Sequence, residues 1–173
     1  MNWMCGVLLV CSAFNPSMDY TNNEEFIQDV EICALHLNSM VDDEKRIPVN
    51  LAIAQAIHES NWGKSRFARE ANNLYGIRTF DSSKDQLKPL DNPNVTWGLR
   101  IFETKCESVS YYMWLLNYSH HYSEFREERL MQYAGDVVNL DKLALTLAIY
   151  SEDVYYTQKI IRTLKKLESY DRD

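Results

Sequence analysis

The chain is poor in the residues that interrupt secondary structure. Its 173 residues include only five glycines and four prolines, so few tight turns are expected and the sequence favours a helix-rich fold. A chain of this length is expected to form a single domain with a sizeable core. The apolar fraction of 46% and the charged fraction of 25% are ordinary for a soluble globular protein.

Signals for several function classes are also missing. The net charge is −7 and no basic run relieves it, which argues against a nucleic-acid partner. Glycine-rich phosphate loops and G-x-S-x-G are absent from the sequence. His58-Glu59 could open the zinc pattern HExxH, but Trp62 stands where the second histidine is needed. His120 and His121 are adjacent and cannot face one site from a helix. No metal or organic cofactor is therefore implied.

The most apolar stretch, residues 5–10, is too short to span a bilayer, so no membrane span is expected. Residues 1–13 are interpreted as a possible signal peptide with small residues at its end, although no Lys or Arg precedes the apolar run. A polar linker over 14–23 and one domain over 24–173 would follow. This organisation predicts an exported protein of the periplasm or cell envelope; the alternative is a buried or frayed N-terminal strand.

Two of the four cysteines would remain in the exported protein. Cys33 and Cys106 both fall on apolar helical faces, so two buried free thiols are expected in preference to a disulfide.

Apolar residues recur at helical spacing along most of the chain. This spacing predicts helices over residues 26–41, 48–60, 64–71, 106–116, 122–133, 140–149 and 156–167. Residues 77–104 lack it and carry turn-rich segments, which predicts a small β-hairpin or irregular lobe. The expected fold class is mainly α, with helices around a buried central helix and one small β lobe.

The predicted helix over 48–60 is apolar on nearly every side and should lie at the domain centre. Pro48 fits its first turn, and Gly63 is the expected stop. Glu59 shares a face with Ala52 and Gln55, where small side chains leave room for a substrate. Burial and the helix C-terminus should both raise the pKa of this carboxyl, as a general acid requires. The alternative is a solvated or capping glutamate at a frayed helix end.

The stretch "AQAIHESNWGKSRFAREANNLYGI" fills nearly every position of a motif of glycoside hydrolase family 73. The segments "RIFETKCESVSYYMWLLNYSHHYSEFREERL" and "LALTLAIYSEDVYYTQKIIRTLKK" are also similar to that family, so the resemblance covers about residues 24–168. Within the superfamily, the chain most resembles bacterial Bax-type proteins related to peptidoglycan hydrolases. The resemblance implies a lysozyme-like fold with a sugar-binding cleft between the helices and the β lobe.

The resemblance also implies roles for individual residues. The family's catalytic acid falls on Glu59, and its cleft tyrosine falls on Tyr150, for which a core position is the alternative. The candidates for substrate binding are Gln55, Ser60, Trp62, Asn73 and Tyr75, each of which could instead be structural.

The second carboxylate departs from the family pattern. Many members carry a glutamate in the β lobe, but this chain has none from residue 77 to 102. Asp81, Asp85 and Asp91 are available, and Asp91 falls nearest the expected place. Glu103 is a weaker candidate.

The resemblance implies a peptidoglycan hydrolase, an endo-β-N-acetylglucosaminidase acting on glycan strands and expected to be a monomer. The alternatives are a lytic transglycosylase or muramidase on the same fold, or a non-catalytic cell-wall-binding protein. Delivery as an effector or lysin would use the same chemistry.

Overall fold

The structure, a computed structural model, describes residues 18–170. The predicted signal segment lies outside these residues. Seven α-helices and three short strands occur in the described part: α1 (Asn23–Asn38), α2 (Val49–Ser60), α3 (Arg66–Glu70), β1 (Arg78–Thr79), β2 (Gln86–Leu87), β3 (Gly98–Arg100), α4 (Lys105–Tyr118), α5 (Ser123–Ala134), α6 (Leu140–Leu145) and α7 (Tyr156–Tyr170). Short 3₁₀ turns lie at Asp43–Lys45, His120–Tyr122 and Ala148–Tyr150. The predicted class, mainly α with a small β lobe, is confirmed.

Helix α2 is the centre of the domain. It packs against α1 and α7, and every side chain from Leu51 to Ile57 is buried. Alanines at three of these positions allow the neighbouring helices to approach closely. This helix is therefore apolar on nearly every side because it is buried at the domain centre, as the sequence predicts.

The end of α2 lies earlier than the glycine stop that the sequence predicts. Asn61 ends the helix in the left-handed conformation, with φ of 51°. Trp62 and Gly63 follow with φ of 59° and 68°, so three consecutive residues have positive φ. The Ser60 hydroxyl donates to the Ala56 carbonyl at 2.6 Å and accepts from the Gly63 N–H at 2.7 Å. These bonds hold the reversal that begins at Asn61, two residues beyond Glu59.

The β lobe is a three-stranded sheet with strand order β1-β3-β2. Both outer strands pair antiparallel with β3, where Leu99 lies opposite Arg78 on one side and Leu87 on the other. The central strand, β3, is thus the last of the three in sequence. A sheet made only of hairpins between strands adjacent in sequence would have β2 at its centre. Asn73 fastens the lobe to the helices, because its amide donates to the carbonyls of Ile77 and Arg100 at 2.9 Å each.

The expectation of two free thiols is wrong. Cys33 of α1 and Cys106 of α4 form a disulfide, with Cα atoms 5.8 Å apart. Both residues are buried on helix faces that meet. Apolar helical faces favour core positions for both residues, and only the packing of α1 on α4 brings the two sulfurs together.

The described part of the predicted linker packs on the domain. Met18 is buried, and the Tyr20 ring contacts Phe26 edge-on with centroids 4.9 Å apart. Asn22 then caps α1 by accepting from the Glu25 N–H at 2.9 Å.

Candidate active site

Glu59 lies in a cleft of about 480 Å³ between the helices and the β lobe. It is the last residue but one of α2, and the reversal that follows keeps the chain from covering it. The other lining residues come from the start of the β lobe, from α4, and from two turns later in the chain: Tyr75, Gly76, Ile77, Arg78, Tyr111, Leu115, Tyr122, Ile149, Tyr150, Ser151 and Glu152.

The environment of Glu59 favours the protonated carboxyl. Burial raises its pKa from the usual 4.5 to about 7, although a hydrogen bond from Tyr156 and the positive charge of Arg78 act in the opposite direction. A carboxyl of this pKa holds a proton near neutral pH and can deliver it to a leaving group. Glu59 therefore has the chemical state of a general acid.

Buried hydrogen bonds fix the tyrosine that contacts Glu59. The Tyr112 hydroxyl donates to Gln55 Oε1, and Gln55 Nε2 donates to the Tyr156 hydroxyl oxygen at 2.6 Å. The Tyr156 oxygen is thus occupied as an acceptor, so its own proton can point to Glu59. Gln55 is fully buried and does not line the cleft. This buried position supports a role of Gln55 in holding Tyr156 rather than in direct sugar binding.

Gly76, Tyr75 and Tyr150 shape the space beside the acid. A Cβ atom on Gly76 would lie 3.3 Å from Glu59 Oε2, and its φ is +63°. Tyr75 is buried, stacks on Tyr112 at 4.1 Å between centroids, and donates to the Ala52 carbonyl at 3.2 Å. Tyr150 donates to the Tyr75 carbonyl at 2.8 Å. Burial and the charge of Glu59 raise the pKa of Tyr150, so its hydroxyl stays protonated and only its oxygen can accept a further bond.

Three further predicted binding residues, besides Gln55, lie outside the cleft. Ser60 is buried and caps the end of α2. Asn73 is buried, and both ends of its amide bind backbone groups. Trp62 packs on Phe26 with centroids 6.1 Å apart and lines a separate pocket. In each case the contacts in the structure are those of the structural alternative.

The structure does not bring Asp91 to Glu59. Asp91 is exposed and lines a different pocket, together with Arg66, Phe67 and Trp97. Asp81 and Asp85 are exposed as well and do not line the Glu59 cleft. Among the described residues, the only second carboxylate that lines this cleft is Glu152.

Residues 39–169 match the glucosaminidase family, described as "Mannosyl-glycoprotein endo-beta-N-acetylglucosaminidase". The match covers about three quarters of the chain. The chain belongs to the glucosaminidase family. It is therefore a glycoside hydrolase by family and by fold.

One relative of this glucosaminidase is a bacterial protein. Protein bax of Escherichia coli strain K12 is 33% identical over 92 residues, which are 53% of this chain and 32% of that protein. The chain thus matches about a third of that relative's length.

Two solved structures share the fold. The glycoside hydrolase domain of FlgJ from Salmonella typhimurium superposes with a TM-score of 0.63 at 19% identity, over 88% of this chain and 92% of that chain. The catalytic domain of the autolysin Auto from Listeria monocytogenes gives a TM-score of 0.63 at 18% identity, over 100% and 98% of the two chains. Together they confirm the predicted lysozyme-like architecture.

Several residues at the glucosaminidase cleft were not predicted from the sequence. Arg78 and Glu152 line it, and Tyr156 contacts Glu59 through its hydroxyl. The sequence signal for Arg78 is its position directly after "NNLYGI", at the entrance to the β lobe. Glu152 follows the family's cleft tyrosine by two residues, which is the signal that could have identified it. Residues 18–170 contain no group of three His, Cys, Asp or Glu side chains arranged to hold a metal ion.

Proposed function

We propose that this glucosaminidase hydrolyses the glycan strands of peptidoglycan, between N-acetylglucosamine and N-acetylmuramic acid, with Glu59 as the general acid. The observation that carries the proposal is a carboxyl of pKa about 7 in an open cleft. Protonation of the leaving oxygen is the step that needs such a group. The similarity to an autolysin catalytic domain supports a cell-wall substrate.

Each neighbouring side chain has a place in this reaction. Tyr156 and Gln55 orient the acid, Tyr75 and Gly76 form the wall beside it, and the Tyr150 oxygen can accept a hydrogen bond from water or sugar. The sequence-based prediction of Asp91 as the water-activating carboxylate stays a prediction, and its position in another pocket gives it no support.

The place of action follows from the substrate. Peptidoglycan lies outside the cytoplasmic membrane, and the Cys33–Cys106 disulfide is a bond that persists in oxidising, extracytoplasmic compartments. Both features support export to the periplasm or cell envelope. None of the helices in residues 18–170 is long and apolar enough to cross a membrane.

Digestion of purified sacculi tests the activity. The wild-type protein should release fragments with N-acetylglucosamine at the new reducing end, identified by mass spectrometry after borohydride reduction. Glu59→Gln should bind sacculi and keep its fold but lose turnover by roughly 10²–10⁴-fold, since proton donation is removed. Binding of the wild type without any release would instead identify a non-catalytic wall-binding protein.

A lytic transglycosylase is the second candidate, because no β-lobe carboxylate of the described chain lines the cleft. Such an enzyme uses one acid and needs no activated water. Fragments ending in 1,6-anhydro-N-acetylmuramic acid would establish that activity and contradict hydrolysis.

A further inference from the structure

Glu152 is a carboxylate of the cleft that comes from a different element than Glu59. Glu59 is the last residue but one of α2, whereas Glu152 lies in the short connection between the 3₁₀ turn Ala148–Tyr150 and α7. Both line the same cavity. In the two-carboxylate arrangement of glycosidases, one group gives a proton to the leaving oxygen and the other serves the water or the sugar.

The connection that carries Glu152 is anchored on both sides. Before it, Tyr150 donates to the Tyr75 carbonyl at 2.8 Å. After it, Asp153 accepts from the Tyr155 N–H at 2.9 Å and pairs with Lys159 at 2.5 Å. Glu152 itself is exposed, and within the described contacts it has no hydrogen bond or ion pair that commits its oxygens elsewhere. An anchored backbone with an accessible carboxylate suits a group that must meet a water molecule.

The two carboxyl groups stand in contrasting environments. Glu59 is shielded and receives a hydrogen bond from Tyr156, while Glu152 faces solvent. Such a contrast is the usual way in which one site divides acid and base roles between two carboxyls.

We infer that Glu152 is the catalytic base of the hydrolysis, in place of a β-lobe carboxylate. The inference rests on the proposed function. A Glu152 oxygen takes one proton from water as the water oxygen bonds to C1 of N-acetylglucosamine. The C1–O4 bond breaks, its electron pair goes to O4 of N-acetylmuramic acid, and O4 takes the proton of Glu59. Glu152 then holds one proton and Glu59 has lost one, and exchange with solvent restores both. This direct displacement inverts the configuration at C1.

Glu152→Gln tests the assignment on the full chain with soluble peptidoglycan fragments. It should lower kcat by 100-fold or more and leave KM and the melting temperature close to wild type. Glu168→Gln, which makes the same change at an exposed site on α7 outside the cleft, is the matched control and should turn over normally. Glu152→Ala should regain part of its activity with added formate, a small carboxylate that can replace the missing side chain. The wild-type product should appear first as the α-anomer in proton NMR.

The outcomes separate this inference from the proposed function. If wild type releases N-acetylglucosamine ends and Glu59→Gln is inactive, but Glu152→Gln retains its turnover, the base assignment is overturned and the function stands. A first product in the β-configuration, or a severe loss in Asp91→Asn alone, overturns it as well. If wild type releases no such ends, the proposed function itself fails.

Discussion

The buried carboxyl of Glu59 lowers the stability of the folded protein as pH rises. The unfolded chain ionises this carboxyl near the usual pKa of 4.5, whereas the folded protein does so only near 7. Between these values the folded state binds more protons, so the free energy of unfolding falls as pH rises from 4.5 to 7. The environment that suits Glu59 to the proposed role of general acid is thus one that lowers stability.

Glu59→Gln should remove that pH dependence. The variant should gain stability over wild type by an amount on the order of 3 kcal/mol on going from pH 4 to pH 8, because the glutamine cannot ionise. Urea unfolding at the two pH values measures the change, with Glu168→Gln as a control that should follow wild type. Parallel curves for Glu59→Gln and wild type would contradict the raised pKa.

Tyr156→Phe tests whether the hydroxyl of the buried Tyr156 lowers the pKa of Glu59. Its hydrogen bond lowers the pKa of Glu59, so loss of the hydroxyl should raise that pKa above about 7. The general acid would then stay protonated to higher pH, and the falling alkaline limb of kcat/KM should move to higher pH. The variant should also lose about 1–3 kcal/mol of stability, since the buried Gln55 amide loses its acceptor.

Tyr155→Phe is the matched control for this experiment, because Tyr155 is the exposed neighbour of Tyr156. Tyr155→Phe should change neither the alkaline limb of kcat/KM nor the free energy of unfolding. A uniform loss of activity in Tyr156→Phe, with the limb unmoved, would show a purely structural role.

The elements of the fold were predictable to different degrees. Periodicity gave α2 within one residue, because its apolar face extends over three turns and reports burial directly. Gly63 is the stop that the sequence predicts after this helix, but Asn61 and Trp62 already have positive φ. The bonds of Ser60 that hold this conformation have no sequence pattern. The strands contain only two or three residues each, too few for alternation to show their pairing.

The residues of the candidate site are also predictable to different degrees. Glu59 could be predicted because burial and the family motif fall on one residue. The interaction of Tyr156 with Gln55 joins positions 101 residues apart, and nothing local in the sequence reports such a contact. Position along the chain favours Asp91, but the structure places it in the loop between β2 and β3, where it lines another pocket.

Gly63→Val should destabilise the reversal after α2. Gly63 has φ of +68°, and a Cβ atom there would lie 1.8 Å from the Tyr20 hydroxyl oxygen. Backbone strain and overlap together should cost roughly 2–4 kcal/mol. For a domain of this size the melting temperature should fall by roughly 5–15 °C.

Gly135→Ala is the control for that substitution. Gly135 ends α5 with φ of −90°, and an added Cβ would meet its nearest neighbour at an ordinary 3.4 Å. Its stability should stay within about 0.5 kcal/mol of wild type. Equal melting temperatures for Gly63→Val and wild type would contradict the packing of Tyr20 on the reversal.

At the scale of the whole molecule, the disulfide joins two helices that both flank the functional core. It closes a loop between positions 73 residues apart in sequence, and that loop includes α2, Glu59 and the entire β lobe. A disulfide of this kind reduces the conformational entropy of the unfolded chain more than that of the folded one. The enclosed portion carries Glu59 and the β-lobe side of the cleft, whereas the lining residues from Tyr111 to Glu152 follow it in the chain.

Replacement of Cys33 and Cys106 by alanine should lower the free energy of unfolding by about 2–4 kcal/mol. The measurement is urea unfolding with and without a phosphine reductant, in a background with Cys5→Ser and Cys11→Ser so that no other thiol can exchange. Reductant should destabilise the protein that retains Cys33 and Cys106 by a similar amount and leave the alanine variant unchanged. Because the linked segment carries Glu59, glycan cleavage at elevated temperature should fall in step with stability, while activity at low temperature persists. An unfolding curve of the cysteine-containing protein that reductant leaves unmoved would contradict a stabilising disulfide and remove its support for an oxidising compartment.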